Sequence, residues 1–233
     1  PALTDFVIMT EATSSMFITG PDVIRNVTGE DTDAASLGGA RVHAVKSGVV
    51  HFMEPDDAAA IARIRRLLAY LPAHSGEAPP RVETDDPPGR RNDLLESVVP
   101  VESTRSYDVK KVLAEVLDRD SFLEVHQRFA ANVVVGLGRL GGESVGIVAN
   151  QPMILAGCLD IDASDKVARF VNFCDAFGIP LVNFVDVTGF LPGVKLEHAG
   201  IIRHGAKVLY AYSRATVPKI SLVMRKAFGG AYI

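Results

Sequence analysis

Between residues 133 and 227 the sequence alternates apolar runs with amphipathic segments of helical length, and this alternation restricts the fold more than any other feature. Two runs, NVVVGLGRL and ESVGIVAN, flank Gly141-Gly142 and predict a β-hairpin. A helix over 163–178, the strand IPLVNFVDV, a helix over 197–215 and the strand VPKISLVM follow. Strands that alternate with helices of this length predict an α/β fold with parallel strands and right-handed crossovers.

The apolar patterns within this region indicate which faces are covered. The strand IPLVNFVDV shows little alternation and VPKISLVM is rich in β-branched residues, so both are predicted to be buried. Gly178 is the expected C-cap of the first helix. The predicted buried face of that helix consists of Val167, Phe170, Val171, Cys174 and Phe177.

The first 71 residues have a weaker pattern. Residues 5–9 and 16–19 predict two short strands, and a helix is expected to begin at Pro21 and to stop at Gly29. A longer helix over 55–71 carries acidic residues in its first turn, which the helix dipole favours. Its apolar positions share one face, as in a helix packed on a core: Ile61, Ile64, Leu67, Leu68 and Leu71.

A proline-rich segment separates the two regions. Residues 72–91, PAHSGEAPPRVETDDPPGRR, hold five of the 13 prolines and no large apolar cluster, which is typical of a linker. Asp108 is a plausible N-cap for the helix VKKVLAEVLD, which opens the second region. We therefore predict a first region over 1–71, a linker over 72–107 and a second region over 108–233.

Charge and cysteine content narrow the range of functions. A net charge of -4 gives no reason to expect a nucleic-acid partner. No apolar run is long enough to predict a transmembrane helix. Cys158 and Cys174 are too few for a disulfide framework or a zinc site, so the expected location is the reducing cytoplasm, with no bound metal. The start, PALTDFVIM, opens directly into a strand, so we expect an internal part of a longer chain.

Two glycine-containing loops follow the carboxyl ends of predicted neighbouring strands, where α/β sheets bind ligands. One is Thr188-Gly189-Phe190-Leu191-Pro192-Gly193, and the other is Phe228-Gly229-Gly230-Ala231. Each loop alone is better explained as an ordinary glycine turn, and for the two together a ligand site and a pair of ordinary turns are equally good explanations. If a helix follows Gly230, its N-terminal N–H groups suit an oxyanion hole.

Other residue patterns indicate no further chemistry. Neither an HExxH nor a CxxC motif occurs, and no side chain is predicted to be a catalytic nucleophile. The stretch GLGRLGG lies between two hairpin strands, so it is not a dinucleotide-binding loop. Arg225 and Lys226 either contact phosphates or form a solvated strand end, with the second alternative favoured.

Several segments together resemble one family, the carboxyltransferase (β) subunits of biotin-dependent acyl-CoA carboxylases of the propionyl-CoA and acetyl-CoA carboxylase type. The resemblance covers nearly the whole chain except the linker. These segments are FITGPDVIRNVTGE, LGGARVHAVKSGVVH, VGIVANQP, GCLDIDASDKVARFVNFCDAFGIPLV, GFLPGV, IIRHGAKVLYAY and RKAFGGAYI.

The resemblance implies a crotonase-like fold, a β-β-α superhelix that occurs twice in tandem. Residues 1–71 are then the closing half of the N-terminal domain, and residues 108–233 are the opening half of the C-terminal domain. The family carries one Gly-Gly pair in each domain. The first pair, which holds the thioester oxygen, is expected to precede this chain.

The resemblance also implies a reaction and its participants. CO2 moves from N1-carboxybiotin, carried on a partner protein, to the α-carbon of a short-chain acyl-CoA. Backbone N–H groups of Gly230 and Ala231 are then expected to hold the ureido oxygen of biotin, while Phe228, Gly229 and the 188–193 loop border its pocket. The family usually has Pro where Thr188 stands, so this loop is expected to be looser. Ile233 is expected to border the acyl group.

Three alternatives remain open at this point. The chain resembles the β subunit of a carboxylase, but decarboxylase and transcarboxylase subunits share the fold and the GGAY motif. A non-catalytic assembly scaffold with the same fold is the alternative from another class. The expected partners are a biotin carboxylase or biotin carboxyl carrier subunit and further copies of the chain, as dimer pairs in a hexamer. Acetyl-CoA and propionyl-CoA both remain candidate substrates.

Overall fold

The structure is a computed structural model that describes residues 3–74, 76–87 and 89–232. The chain divides into two compact units. One comprises the residues up to Leu67 together with His126–Phe129, and the other comprises Leu68–Val125 and the residues from Ala130 onward. The elements up to residue 68 are β1 (Ile8–Thr10), α1 (Pro21–Thr28), α2 (Ala34–Gly38), α3 (Ala40–Val42), β2 (Phe52–Glu54) and α4 (Asp57–Leu68).

The first unit is built around a short parallel strand pair. Strand β1 pairs with β2, with Ile8 opposite Phe52. A single π-helical turn, His43–Ser47, follows α3. The segment 126–129 joins this unit because the His126 ring stacks on His51 at 4.1 Å between ring centroids, and the His126 N–H donates to the His51 carbonyl at 3.1 Å.

Helix α1 is as predicted, since Pro21 lies in its first turn and Gly29 caps it in a left-handed conformation. The predicted strand over 16–19 is wrong. The N–H of Met16 donates to the Gly38 carbonyl at 2.8 Å, so the chain follows the end of α2, and Ile18 is fully exposed. An isolated bridge at Ser15 is all that remains of strand pairing there.

Helix α4 has the predicted apolar face, but most of that face is open to solvent. Leu67 is buried, whereas Ile61, Ile64 and Leu68 are between 43% and 59% exposed. Periodicity therefore identified the helix correctly and its burial incorrectly.

The second unit is built on one five-stranded sheet. Its elements are α5 (Leu94–Val98), α6 (Val109–Val116), β3 (Leu123–Val125), β4 (Val133–Leu140), β5 (Glu143–Asn150), α7 (Ile161–Ala176), β6 (Leu181–Val187), α8 (Val194–Ala199), α9 (Ile201–Arg214) and β7 (Lys219–Ala227). The strand order is β3-β4-β5-β6-β7. Strands β3, β4 and β5 are antiparallel, and β5, β6 and β7 are parallel. The predicted hairpin and parallel strands are confirmed, within a mixed sheet.

Side chains alternate between the two faces of this sheet, and helices cover both. Helix α6, capped by the Asp108 carboxylate as predicted, packs with Val145, Ile147 and Phe184 on one face. Helix α7 approaches the other face closely at Gly146, where a Cβ atom would lie 2.5 Å from the Cys174 sulfur. Every residue of β6 is buried, as the sequence predicted.

Two predictions about the last third of the chain need correction. The single helix expected over 197–215 is two helices, because Gly200 adopts a left-handed conformation (φ 88°) between α8 and α9. Strand β7 was predicted to be buried, but Ile220, Leu222 and Val223 are about half exposed or more. In the described part of the chain β7 pairs on one side, with β6, and forms the edge of the sheet.

The first part of the proline-rich segment is fastened to the hairpin of its own unit by one buried arginine. The Arg139 guanidinium donates to the carbonyls of Ala69 (2.7 Å), Pro80 (2.9 Å) and Gly142 (2.8 Å). It also lies over the Tyr70 ring, 4.7 Å from the centroid. Beyond it, the Val82 N–H donates to the Gly142 carbonyl at 3.1 Å. The segment thus has fixed contacts, although its described residues form no helix or strand before α5.

None of the helices in the described part of the chain has the length and apolar character that a membrane crossing requires.

Candidate active site

Three loops leave the carboxyl ends of the parallel strands β5, β6 and β7. They are residues 151–160, 188–193 and 228–231. This edge is where open α/β sheets bind ligands. The two loops predicted from the sequence are neighbours, because β6 pairs directly with β7. Sequence reasoning did not assign the loop over 151–160.

The turn over 228–231 begins where the β6–β7 ladder ends. The Phe228 N–H donates to the Val187 carbonyl at 3.2 Å, and Gly229 then turns the chain in a left-handed conformation (φ 63°). Residues Gly229–Ala231 form one 3-10 turn, with the Ala231 side chain buried. The structure describes no helix after this turn, because Tyr232 is extended and is the last described residue.

Open space lies in front of the glycine pair. A Cβ atom built on Gly229 or on Gly230 meets no atom within 4 Å. The first N–H groups of a helical turn have no partner inside that turn, and glycine lets a ligand approach them closely. The geometry therefore allows this turn to offer N–H donors to a ligand oxygen.

The loop over 188–193 is held by contacts to the first loop and to α9. The Leu159 N–H donates to the Gly189 carbonyl (3.1 Å), and the Leu191 N–H donates to the Leu159 carbonyl (2.8 Å). The Phe190 ring packs on Gly205 so closely that a Cβ atom there would lie 2.9 Å from it.

Thr188 makes a side-chain contact that a proline could not make. Its Oγ1 lies 2.9 Å from the Cys158 Sγ, within hydrogen-bond distance. This contact ties the beginning of the 188–193 loop to the 151–160 loop.

The loop over 151–160 has an unusual backbone. Leu155 and Ala156 both have positive φ angles, 48° and 53°, which non-glycine residues rarely adopt. Gly157 packs so close to the Asp186 carbonyl that a Cβ atom would lie 2.7 Å from its oxygen. The Asn150 side chain donates to the Gly157 carbonyl at 3.1 Å. The sequence signal that could have revealed this loop is the single glycine that follows strand β5 by a few residues.

A small cavity of about 40 Å³ lies beside the turn, between β6 and the helices on the same face. Ala231 and Tyr232 line it together with mostly apolar side chains. Among its polar groups, the Tyr212 hydroxyl donates to Asn183 Oδ1 at 2.6 Å. Burial, and to a smaller degree the neighbouring Cys174, raises the pKa of Tyr212 well above its ordinary value. Tyr212 is thus a neutral hydrogen-bond donor at physiological pH.

Both sequence interpretations of Arg225 are wrong. It is neither a solvated strand end nor a phosphate contact, because its side chain is 8% exposed and pairs with the buried Asp186. Lys226 is directed to the backbone, with Nζ 3.3 Å from the Ser103 carbonyl oxygen.

One sequence pattern typical of a catalytic serine is present in the second unit. Gly142, Ser144 and Gly146 have the GxSxG spacing of a nucleophile elbow, which requires a sharp turn from a strand into a helix. Ser144 instead lies within β5, and its buried hydroxyl donates to the Pro80 carbonyl at 3.3 Å. The Ser144 hydroxyl therefore contacts the proline-rich segment and does not lie at a nucleophile elbow.

The acyl-pocket residue and the question of a bound metal complete the comparison with the expected site. Ile233, the expected acyl-pocket residue, lies outside the described residues. In the described part of the chain, no group of three or more His, Cys, Asp or Glu side chains is arranged to hold a metal ion.

Comparison with solved structures identifies the class of fold. The crystal structure of transcarboxylase 12S, a hexamer with methylmalonyl-coenzyme A and methylmalonic acid bound, matches the whole chain with a TM-score of 0.97 and 54% identity. The chain covers 45% of that protein. The fold is therefore the crotonase-like carboxyltransferase fold, as the sequence resemblance implied.

Comparison of sequences gives the family. Residues 1–233 match the family described as "Carboxyl transferase domain", and the chain belongs to it. It is 58% identical over 232 residues to a propionyl-CoA carboxylase carboxyltransferase subunit of Haloferax mediterranei and 54% identical over 233 residues to the methylmalonyl-CoA decarboxylase subunit alpha of Veillonella parvula. All of the chain is matched in both cases, but it spans only 45% and 46% of these relatives.

Proposed function

We propose that the chain is part of a carboxyltransferase that moves CO2 from N1-carboxybiotin to the α-carbon of a short-chain acyl-CoA. The observation that carries this proposal is the family match over all 233 residues, which includes the turn at Phe228–Ala231. The turn lies at the carboxyl edge of the sheet and has open space in front of it.

In this proposal the backbone N–H groups of Gly230 and Ala231 donate to the ureido oxygen of biotin. The residues present fit that group, because a Cβ atom at Gly230 would project into free space that a ligand can occupy. Biotin supplies a nitrogen that carries and releases CO2. The protein supplies fixed donors at the position where negative charge develops, and in many enzymes such donors account for most of the rate enhancement. In the same proposal the 188–193 loop, which leaves the same edge of the sheet, borders the bound biotin.

We further propose that the full-length protein has two crotonase-like domains. Residues 1–71 are then the closing half of the first domain, 72–107 the linker and 108–233 the opening half of the second. The partners are a biotin carboxylase or biotin carboxyl carrier subunit and further copies of the chain in a hexamer. The hexameric transcarboxylase supports the last point. Two cysteines without a disulfide are compatible with a cytoplasmic location.

For the acyl group we propose propionyl-CoA, with methylmalonyl-CoA as the carboxylated partner. The named relatives support this choice, since they act on propionyl-CoA or methylmalonyl-CoA. The methylmalonyl-CoA decarboxylase subunit of Veillonella parvula also supports a second candidate, in which the carboxyl group leaves methylmalonyl-CoA for biotin. Both use the same site in opposite directions.

The test is carboxyl exchange by the full-length protein. Purified protein is incubated with methylmalonyl-CoA or malonyl-CoA and free biotin, and the acyl-CoA product is measured by chromatography. Biotin-dependent formation of propionyl-CoA, faster than that of acetyl-CoA from malonyl-CoA, is expected. Product formation with neither substrate, in a folded hexamer, would favour the scaffold alternative. Addition of the biotin carboxylase partner with ATP and bicarbonate then distinguishes the carboxylase from the decarboxylase.

A further inference from the structure

A buried ion pair lies directly behind the candidate active site. The Arg225 Nε lies 2.8 Å from the Asp186 Oδ2, and the two side chains are 8% and 0% exposed. The Lys226 N–H donates to the other carboxylate oxygen of Asp186 at 3.3 Å. The carboxylate at the end of β6 thus accepts hydrogen bonds from two consecutive residues of β7.

The same arginine gathers a third segment. Its NH1 group donates to the carbonyls of Pro100 (3.3 Å), Glu102 (3.0 Å) and Arg105 (2.8 Å). Its guanidinium also lies over the Tyr107 ring, 4.8 Å from the centroid. Arg225 therefore holds residues 100–107 against the ends of β6 and β7.

Tyr107 completes the cluster as a neutral group. Burial, followed by the charge of the nearby Asp186 carboxylate, raises the pKa of Tyr107 far above its ordinary value. The phenol hydroxyl lies 3.7 Å from the Met224 sulfur. Arg225 and Asp186 are therefore the two charged members of this cluster.

The ion pair is connected to all three loops of the candidate site. Asp186 is two residues before Thr188, and Arg225 is five residues before Gly230. The Asp186 N–H donates to the Asn150 side chain (3.2 Å), at the beginning of the 151–160 loop. The β6–β7 register shifts between Val185 and Val187, so the strands are irregular where the pair joins them. Such irregularities re-aim the chain next to many active sites.

Stability alone is a weak reason for this arrangement. Moving two charges out of water has a desolvation cost that can exceed the attraction between them. Buried ion pairs therefore often add no net stability compared with well-packed apolar side chains. What the pair does supply is direction, because the planar guanidinium fixes several partners at once. The N–H donors at Gly230 must be held in one orientation to meet a ligand oxygen, and such fixed contacts can provide it.

We propose that Asp186 and Arg225 are positioning residues for carboxyl transfer. They set the turn at 228–231 relative to the 188–193 loop, and they hold residues 100–107 as a wall beside the same edge. This inference rests on the proposed function of that edge. A displacement of about 1 Å in such a site can lower the rate about 100-fold.

The test uses the full-length protein and variants that distinguish an effect on the orientation of the site from an effect on folding stability. Asp186→Asn with Arg225→Met removes both charges together, so no unpaired charge remains buried. Arg225→Lys keeps a charge for Asp186 but loses the planar guanidinium, in which Nε reaches Asp186 while NH1 reaches the three carbonyls. Lys226→Met is the matched control, because it removes the neighbouring contact to the Ser103 carbonyl alone. Melting temperature, hexamer content, kcat, and KM for acyl-CoA and biotin are measured for each.

We expect the double variant to assemble and melt like the wild type, with kcat about 100-fold lower and the acyl-CoA KM within about 2-fold. The kcat of Arg225→Lys should lie between those of the double variant and the wild type. The kcat of Lys226→Met should match that of the wild type. A double variant with wild-type kcat would reduce the pair to a structural role. So would losses of kcat that follow the melting temperature across all variants. If the wild type itself transfers no carboxyl group, the proposed function fails, and that outcome is seen before any variant is compared.

Discussion

The most direct test of the candidate oxyanion hole is a change at Gly230 that leaves the fold intact. A Cβ atom there meets no atom within 4 Å, and the residue does not adopt a left-handed conformation. Gly230→Ala therefore carries no steric or backbone penalty, and it restricts the unfolded chain, which typically stabilises a protein by about 0.4–1 kcal/mol. Gly230→Val places two further methyl groups in the space that a ligand oxygen must enter.

The expected cost to catalysis follows from what an oxyanion donor contributes. Loss of one donor typically lowers kcat by about 100-fold to 1,000-fold, or about 3–4 kcal/mol in the barrier. We expect Gly230→Val to approach this range and Gly230→Ala to fall below it, with melting temperatures no lower than that of the wild type. Carboxyl exchange between methylmalonyl-CoA and biotin in the full-length protein measures the rate.

Two other glycines serve as matched controls. A Cβ atom on Gly89 also meets nothing within 4 Å and Gly89 is not left-handed, but it lies in the proline-rich segment, so Gly89→Val should leave the rate unchanged and should not lower stability. Gly229 is left-handed (φ 63°), so Gly229→Ala should lower stability by about 1–2 kcal/mol. A folded Gly230→Val protein with near-normal turnover would refute the assignment of this turn.

Three other predictions concern folding, pH and the acyl group. The 233-residue chain alone should aggregate or melt without cooperativity, because α4 and β7 expose apolar side chains. Calorimetry and gel filtration test this, and a sharp melting transition of a monomer would contradict it. Burial, and to a smaller degree the nearby Lys110, lower the pKa of Lys166 to about 7, although the Glu124 carboxylate acts in the opposite direction. Between about pH 7 and 10.5 the unfolded state therefore binds one proton that the folded state does not. Stability should therefore rise in that window by up to about 1.4 kcal/mol per pH unit, and urea titrations of Lys166→Met should show this rise lost. Family members that resemble propionyl-CoA carboxylase commonly have Asp where Ile233 stands, so Ile233→Asp should shift the kcat/KM ratio of the full-length protein further toward propionyl-CoA. An unchanged ratio would leave Ile233 without a part in acyl choice.

Local signals in the sequence predicted the elements that local contacts determine. Pro21, Gly29 and Asp108 marked helix ends correctly, and Gly141-Gly142 marked the hairpin. The placement of two site loops at one edge followed from strand order, since parallel neighbours share their carboxyl ends. In each case the deciding interaction lies within a few residues or follows from the topology.

Long-range interactions account for what the sequence did not predict. Arg225 pairs with Asp186 across 39 positions, and nothing next to Arg225 in the sequence distinguishes a buried arginine from a solvated one. Gly200 could cap one helix or lie inside a longer one, and only its left-handed conformation decides between the two. The 151–160 loop was missed because its positive φ angles fall on Leu155 and Ala156, which rarely adopt them.

The contacts of Arg139 also determine where the chain can be cut or lengthened. They fix the proline-rich segment at Ala69 and Pro80, and the bond from Val82 to Gly142 extends this hold by two residues. Asp86 is buried and pairs with Arg90 at 2.9 Å, so the segment is held again from there. The side chains of residues 83–85, which lie between these two anchors, are all exposed. A protease site or an affinity tag should therefore be better tolerated within residues 83–85 than at Pro80, Val82 or Asp86, where contacts hold the chain.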